Sequence, residues 1–334
     1  MTDSPLDKLA RNIEQHAYRR GYVSAFTIAA YPIDQSEEMT LHITRECDGL
    51  VYGNVEIETP DAFKACLDAF DGRVDYILYD IGLPFDTASL VNDDLGKSGR
   101  KSILLPYSDL HVWLASARYT LLAMVKDLPD RNCLVVGLEK PLARLGNFHS
   151  SLTGNLAPCC KNTWTHFADK KPSGSDEEKI LEYFRDADII VGAAIYERVI
   201  RKEYLEICER NPLVVDAGIG TVDADAASFA REKGWRTIRV DNRAAMAGML
   251  FSAIQSNDLV TRVMGDGRID GISVVAGGIV GSPGTIVLDS IDNPSMVIGF
   301  ADGTGRIRYS PDNEEEAEKL SKIRMAIGGE NPDE

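Results

Sequence analysis

The sequence predicts a two-domain α/β protein whose C-terminal half holds a doubly wound parallel sheet, and three observations predict it. A chain of 334 residues is longer than one ordinary hydrophobic core serves and fits two domains of usual size. Its composition, 44% hydrophobic and 26% charged, is that of a globular protein able to bury a core. From Asn132 onward, short and continuously apolar runs alternate with amphipathic segments. That rhythm requires a parallel sheet covered on both faces.

The N-terminal region, residues 1–125, reads as an α/β substrate domain. Leu6, Leu9, Ile13 and Ala17 recur at helical spacing, so residues 5–21 open as an amphipathic helix. A strand-like run covers Tyr22 to Ala30, and Met39 to Arg45 reads as helix or strand. Gly49 to Val55 is a strand, and Pro60 to Phe70 a helix with Thr59 as N-cap. VDYILYD, Val74 to Asp80, is a buried strand closed by an acid. Residues 81–102 are rich in Gly, Asp, Ser and Asn and read as a long loop, the kind of segment that carries substrate contacts. Ser108 and Asp109 precede an apolar-periodic run, Leu110 to Val125, which reads as a helix linking the two domains.

The second domain, residues 126–257, supplies five expected strands: Asn132 to Gly137, Asn162 to Ala168, Ala187 to Ala194, Asn211 to Gly220 and Trp235 to Asp241. Helices are expected within 141–156 and over 175–185, 201–210 and 223–233. Right-handed crossovers then bring every strand's carboxyl end to one edge. Such a domain is Rossmann-like. Residues 258–334 differ: GISVVAGGIV, TIVLDS and SMVIGFADGTGRIRY are short β runs with ADGTG as a hairpin signal, which suggests an antiparallel appendage followed by an acidic tail from Asp312.

Charge and composition exclude several classes. The formal charge of −16 disfavours nucleic acid, since no dense basic run offsets it. No apolar stretch is long enough to span a bilayer and the first residues lack an apolar signal region, so a cytoplasmic protein is expected. The six cysteines form no CxxC, and none of the five histidines stands in HxH or HExxH, so no metal site is expected.

A nucleotide site needs close backbone approach and free N–H groups at a helix start. The first turn of the second domain, GLEKPLARLG, is not GxGxxG, but Gly137 and Leu138 stand at the strand end, Lys140 offers a charge to a phosphate, and Pro141 suits a first helical turn. Asp169 and Lys170 follow the second strand, where ribose or 2′-phosphate is read, and leave NAD and NADP unseparated. Ala193 and Ala194 are small enough for a nucleotide to lie against the backbone. Asp216 and Gly218, in DAGIG, complete the expected rim.

The order LLPYSDLHVWLASARYTLLAMV, CLVVG, ADIIVGAA and PLVVDAGIG resembles the methylenetetrahydrofolate dehydrogenase/cyclohydrolase family. The VVGLEK turn and the RAAMAGMLFSAI helix are similar to the dehydrogenase of pyrrolysine biosynthesis. The resemblance covers about a third of the chain. It implies an N-terminal substrate domain, a C-terminal NAD(P) domain and hydride transfer in the cleft between them. The YxxxK pair of the folate enzymes is not found in residues 1–100, while GGIVGSPGT, Gly277 to Thr285, is similar to that family's PGGVGPMT loop.

Hydride transfer needs a proton donor or acceptor near the reacting carbon. Asp80, Lys101, Tyr107, Asp109 and His111 are the candidates, expected to face one cleft. The leading expectation is an NAD- or NADP-dependent oxidoreductase acting on a small polar molecule, with a homodimer expected. An S-adenosylmethionine-dependent transferase on the same kind of sheet is the alternative, because fold does not decide chemistry.

Overall fold

The computed structural model describes residues 4–30, 39–95, 99–139, 148–170 and 175–328, and its contacts divide it into two compact units, Met1–Leu250 and Phe251–Glu334. The first unit is built on two sheets, each fed by its own run of the sequence.

The first run is α1 (Pro5–Arg20), β1 (Val23–Ala30), β2 (Met39–Leu41), β3 (Arg45–Cys47), β4 (Leu50–Ile57), α2 (Pro60–Phe70), β5 (Tyr76–Asp80), α3 (Thr87–Leu95) and β6 (Ile103–Tyr107). Ser4 and Thr59 cap α1 and α2 by accepting the N–H groups of Asp7 and Ala62, each with a proline in the first turn. Strands β4, β1, β5 and β6 run parallel in that order, while β2 and β3 lie antiparallel against β4. Of the stretch Met39 to Arg45, which reads as helix or strand, Met39–Leu41 and Arg45 are strand and residues 42–44 connect them. Within the expected long loop of 81–102 stands a helix, α3, whose Leu90 and Val91 pack on the core beside Leu83 and Phe85. Gly and Asp at its ends masked that apolar contact.

Phe26, Ile28, Val51, Val55, Ile57 and Ile77 face α1 and α2 and form one core. Register places Thr27 beside Asn54, Ala29 beside Glu56, and Asp80 beside Tyr107. Side chains alternate across a strand, so these residues all project from the opposite face, close to the carboxyl edge.

The second run is α4 (Asp109–Met124), β7 (Asn132–Gly137), α5 (Phe148–Leu156), β8 (Asn162–Phe167), α6 (Ser175–Asp186), β9 (Ile189–Gly192), α7 (Lys202–Leu205), β10 (Leu213–Asp216), α8 (Ala224–Glu232), β11 (Thr237–Arg239) and α9 (Arg243–Asp258). All five strands are parallel, in the order β11-β10-β9-β7-β8. The five expected strands thus pair as a Rossmann-like doubly wound sheet. Helices α4 and α5 cover one face through Leu114, Ala117, Phe148 and Leu152. Phe184, Leu205, Ala226 and Ala230, from α6, α7 and α8, cover the other. The helix expected over 201–210 is confined to Lys202–Leu205, because the N–H groups of Ile207 and Cys208 reach back only three residues, to Tyr204 and Leu205.

The second unit holds β12 (Gly265–Ile269), β13 (Ile272–Ala276), β14 (Ile286–Leu288), β15 (Val297–Ala301), β16 (Ile307–Arg308) and α10 (Glu314–Ala326), in sequence order across the sheet. The appendage is not wholly antiparallel as expected: β13 and β14 pair parallel, joined by the Gly277 to Thr285 segment. Gly277 has φ 64°, and a Cβ there would stand 2.4 Å from the Met264 Cα, so its glycine serves close backbone approach. The acidic end is not merely solvated. Ile323 of α10 is buried against Val274, Ile286 and Phe300, and Glu316 holds Arg308 at 2.9 Å.

Candidate active site

Parallel sheets covered on both faces carry apolar side chains, so the polar face at the carboxyl edge of the first sheet calls for a reason. Thr27, Asn54, Asp80 and Tyr107 are each at least nine-tenths buried. Asp80 is held at the end of β5, its Oδ1 accepting the N–H groups of Gly82 (3.1 Å) and Asp109 (3.0 Å). It thereby ties the β5 turn to the first turn of α4. Burial raises its carboxyl above the ordinary range, against the pull of those N–H donors.

Asp109 stands one residue beyond Ser108, which caps α4 by accepting the His111 N–H at 3.4 Å. Its Oδ2 accepts the indole N–H of Trp113 at 3.1 Å, while its Oδ1 is shut from solvent without a hydrogen-bond partner. Burial, then the charges of Asp80 and Glu56, push this carboxyl up to about 7. A group poised there can give or take a proton at neutral pH.

Tyr107 projects from β6 onto the same face as Thr27, whose hydroxyl is given to the Gly53 carbonyl at 3.3 Å. Its own hydroxyl is buried without a partner, as is Asn54 Oδ1. Burial first, and then Asp109 and Asp80, hold the phenol well above its usual range, so it stays protonated and able to donate. Glu56 faces the same space and meets His42 at 3.4 Å.

Three of the five expected catalytic residues, Asp80, Tyr107 and Asp109, are brought together. Lys101 is not: it precedes β6 at the amino edge of the sheet, packed over Gly72, with its N–H on Asp71. In a parallel sheet the two edges are separated by the strand's whole length. His111 is exposed on α4. Thr27, Asn54 and Glu56 were missed because the polar positions in β1 and β4 are single residues inside apolar runs. Their alternation, Thr27 then Ala29 and Asn54 then Glu56, was the available signal.

At the second sheet the chain crosses from β8 back over β7 to β9, so the carboxyl ends of β7 and β9 flank a topological switch point. Ala193 and Ala194, just past β9, are buried and small, and Leu138 packs on the core beside Ala194. Asp169, beyond β8, accepts the Glu139 N–H at 2.8 Å, and Lys170 meets Glu139 at 3.4 Å. Acid and base therefore gather at the turn after β7. Lys140 and Pro141 lie outside the described residues.

Three more of the expected contacts are engaged within the scaffold. Gly137 is overlaid by the His149 ring, 2.3 Å from where a Cβ would stand, so its small size admits α5 against β7. Asp216 spends its carboxylate on the N–H groups of Gly218, Gly220 and Thr221 and on the Thr221 hydroxyl. Gly218 lets the Ala194 carbonyl pass, 1.9 Å from a virtual Cβ. The loops after β9 and β10 are thus locked together. At their junction Tyr196 (φ 56°) and Ile219 (φ 64°) hold left-handed backbone, joined by Tyr196 N–H to Ile219 carbonyl at 3.0 Å. Such strain concentrates at functional sites. Burial and the Glu56 charge raise the Tyr196 phenol.

No family model matches the chain, and no curated protein matches it in sequence. Among solved structures it is similar to a 5,10-methylenetetrahydrofolate dehydrogenase from the silkworm Bombyx mori, at 13% identity and TM-score 0.36, over 75% of this chain and 96% of that one. It is also similar to the Trypanosoma brucei methylenetetrahydrofolate dehydrogenase-cyclohydrolase complexed with NADP and an inhibitor, at 14% and 0.38, over 75% and 92%. A chorismate mutase/shikimate 5-dehydrogenase fusion from Clostridium acetobutylicum matches at 13% and 0.35, over 72% and 92%. Among the described residues no helix is long and apolar enough to cross a membrane, and no group of His, Cys, Asp and Glu is arranged to hold a metal ion.

Proposed function

We propose that the chain is an NAD(P)-dependent oxidoreductase acting on a small polar metabolite, with Asp109 as its acid–base group. The observation that carries the reading is the buried polar face at the carboxyl edge of the first sheet, where Asn54 Oδ1 and Asp109 Oδ1 stand without hydrogen-bond partners and the Asp109 carboxyl lies near neutrality. Doubly wound sheets take nucleotides at the switch point, and the small residues Ala193 and Ala194 and the acid Asp169 fit one there. The resemblance of VVGLEK and RAAMAGMLFSAI to an NAD(P) enzyme agrees.

The nicotinamide, when bound, accepts or returns the hydride. The chain does the rest. Asp109 takes the proton released as the substrate carbon loses its hydride, or supplies it in reverse, through the Oδ1 that nothing else engages. Trp113 fixes the other oxygen, and Asp80 fixes the Asp109 backbone, so the acid is oriented before substrate arrives. Tyr107 donates its hydroxyl to the oxygen or nitrogen where electron density changes.

Thermal unfolding with added nucleotide tests this. A ligand at a hundred times its Kd stabilises the folded state by about 2.7 kcal/mol. NAD or NADP is expected to raise the Tm. Stabilisation by S-adenosylmethionine alone would replace hydride transfer with group transfer, and no response to any of the three would remove the nucleotide.

A further inference from the structure

We propose that Cys160 and Cys133 are a peroxide-responsive thiol pair, in which Cys160 takes the first oxidation and Cys133 closes it into a reversible disulfide.

The second sheet brings the two sulfurs together. Helix α5 is followed by a short 3-10 turn, Ala157–Cys159, that leads the chain into β8. The Lys161 N–H donates to the Arg131 carbonyl at 2.9 Å, and the Asn162 amide to the Asn132 side chain, also at 2.9 Å. Cys160 and Cys133 flank this pair of contacts, and both pack in the core that α4 and α5 cover. There the two thiols lie in hydrogen-bond contact. A bond between the adjacent Cys159 and Cys160 is disfavoured, because neighbouring Cα atoms stand ~3.8 Å apart across a trans peptide, closer than the ~4.4 Å at which ordinary disulfides begin.

Exposure gives the two thiols different parts. Cys133 is fully buried and Cys160 half-buried, so an oxidant from solvent meets Cys160 first. The thiolate is the reactive form. The Cys133 thiol favours it at Cys160, holding that group below the ordinary thiol range, whereas Cys160 and then burial hold Cys133 well above it. Elsewhere burial pushes the Cys66 and Cys208 thiols up to about 12, which keeps them protonated. A solvent-reached thiol that ionises readily, beside a second thiol able to resolve it, is the arrangement of redox-sensing cysteines.

The chemistry requires a hydroperoxide, such as hydrogen peroxide. The Cys160 sulfur attacks one peroxide oxygen: the S–O bond forms, the O–O bond breaks, and the other oxygen leaves as hydroxide and takes up the proton that Cys160 released. The Cys133 sulfur then attacks the Cys160 sulfur, forming S–S and breaking S–O, and its proton joins the departing hydroxide as a second water. Both sulfurs are oxidised and both peroxide oxygens are reduced. The bond clips the entry of β8 to β7 around residues 134–159, and a dithiol reverses it.

Stepwise addition of hydrogen peroxide to the native full chain, followed by alkylation of the remaining thiols and tryptic mapping without reductant, tests the pair. Cys133 falls in the peptide 132–144, and Cys160 in the peptide 145–161 together with Cys159. The two peptides are expected to appear joined, with loss of two of the six thiols, before the exposed Cys47 is oxidised, and to separate again on dithiothreitol. Cys159→Ala is expected to keep the link and Cys160→Ala to lose it, while Cys133→Ala leaves a sulfenic acid at Cys160 that dimedone traps. A link that persists in Cys160→Ala, a bond confined within 145–161, or full oxidation of Cys47 with 132–144 still unlinked would overturn the proposal. Far-ultraviolet circular dichroism shows which variants fold, and the map of the unsubstituted chain decides where one does not.

Discussion

Asp109 sits in the first turn of α4, where the helix dipole favours a negative charge, yet burial and the charges of Asp80 and Glu56 raise its carboxyl to about 7. Desolvation wins because the dipole acts over one turn whereas Oδ1 is shut from solvent with no hydrogen bond to replace the water. The sign of the consequence follows from linkage. The folded-state value lies above that of an unfolded aspartate, ~3.9, so the folded chain holds the extra proton and loses stability as pH rises from about 4 to 7. Asp109→Asn removes the charge and keeps an oxygen for Trp113. At pH 8 the variant is expected to be more stable than the parent by on the order of 2 kcal/mol, with the gap closing below pH 4, as read by urea unfolding at the two pH values. A constant gap would mean that the carboxyl titrates normally. Asp80, Tyr107 and Asp109 were legible in the sequence because an acid ends a β run and a Ser-Asp pair opens a helix. Asn54 and Glu56 were not, since nothing in β4 alone says which face of its sheet lacks an apolar cover.

At the scale of elements, the loops after β9 and β10 form one rigid rim. Asp216 gathers the second loop, Gly218 admits the Ala194 carbonyl, and two non-glycine residues are held in left-handed backbone. Gly218→Ala places a methyl against backbone that has no rotamer with which to yield. A loss of about 1–3 kcal/mol is expected in thermal unfolding, together with weaker nucleotide binding, while Gly234→Ala, with open space around a left-handed glycine, costs only about 1 kcal/mol of backbone strain. Equal effects would show that the approach to Ala194 is not tight. The strands of this half could be read directly, because buried parallel strands are continuous apolar runs. The roles of Gly137, Asp216 and Gly218 could not, because a glycine that admits a ligand and one that admits a helix or a carbonyl look alike until the partner is placed. The same limit hid α3, where a short helix packs only Leu90 and Val91 and has no long period to announce it.

For the whole molecule, direction is what sorts the candidate residues. Both sheets of the first unit are mainly parallel, so each has a carboxyl edge, the side on which such sheets bind ligands, and an opposite amino edge. Lys101 falls on the amino edge and Tyr107, at the far end of the same strand, on the other. Once a turnover assay exists, Lys101→Ala is expected to stay within about twofold of the parent and Tyr107→Phe to fall roughly 10- to 100-fold. The reverse ranking would place the chemistry at the wrong edge. Sequence spacing brought Lys101 and Tyr107 close in number, and only strand direction separates them.

The claim beneath all of this is that the chain keeps one carboxyl near neutrality at the carboxyl edge of its first sheet. Carbon-13 NMR of aspartate-labelled protein, with Asp109→Asn to assign the resonance, measures it directly. Asp109 is expected to titrate near 7, and to move down when Glu56→Gln removes a neighbouring charge. Titration near 4, unmoved by that substitution, would contradict the account.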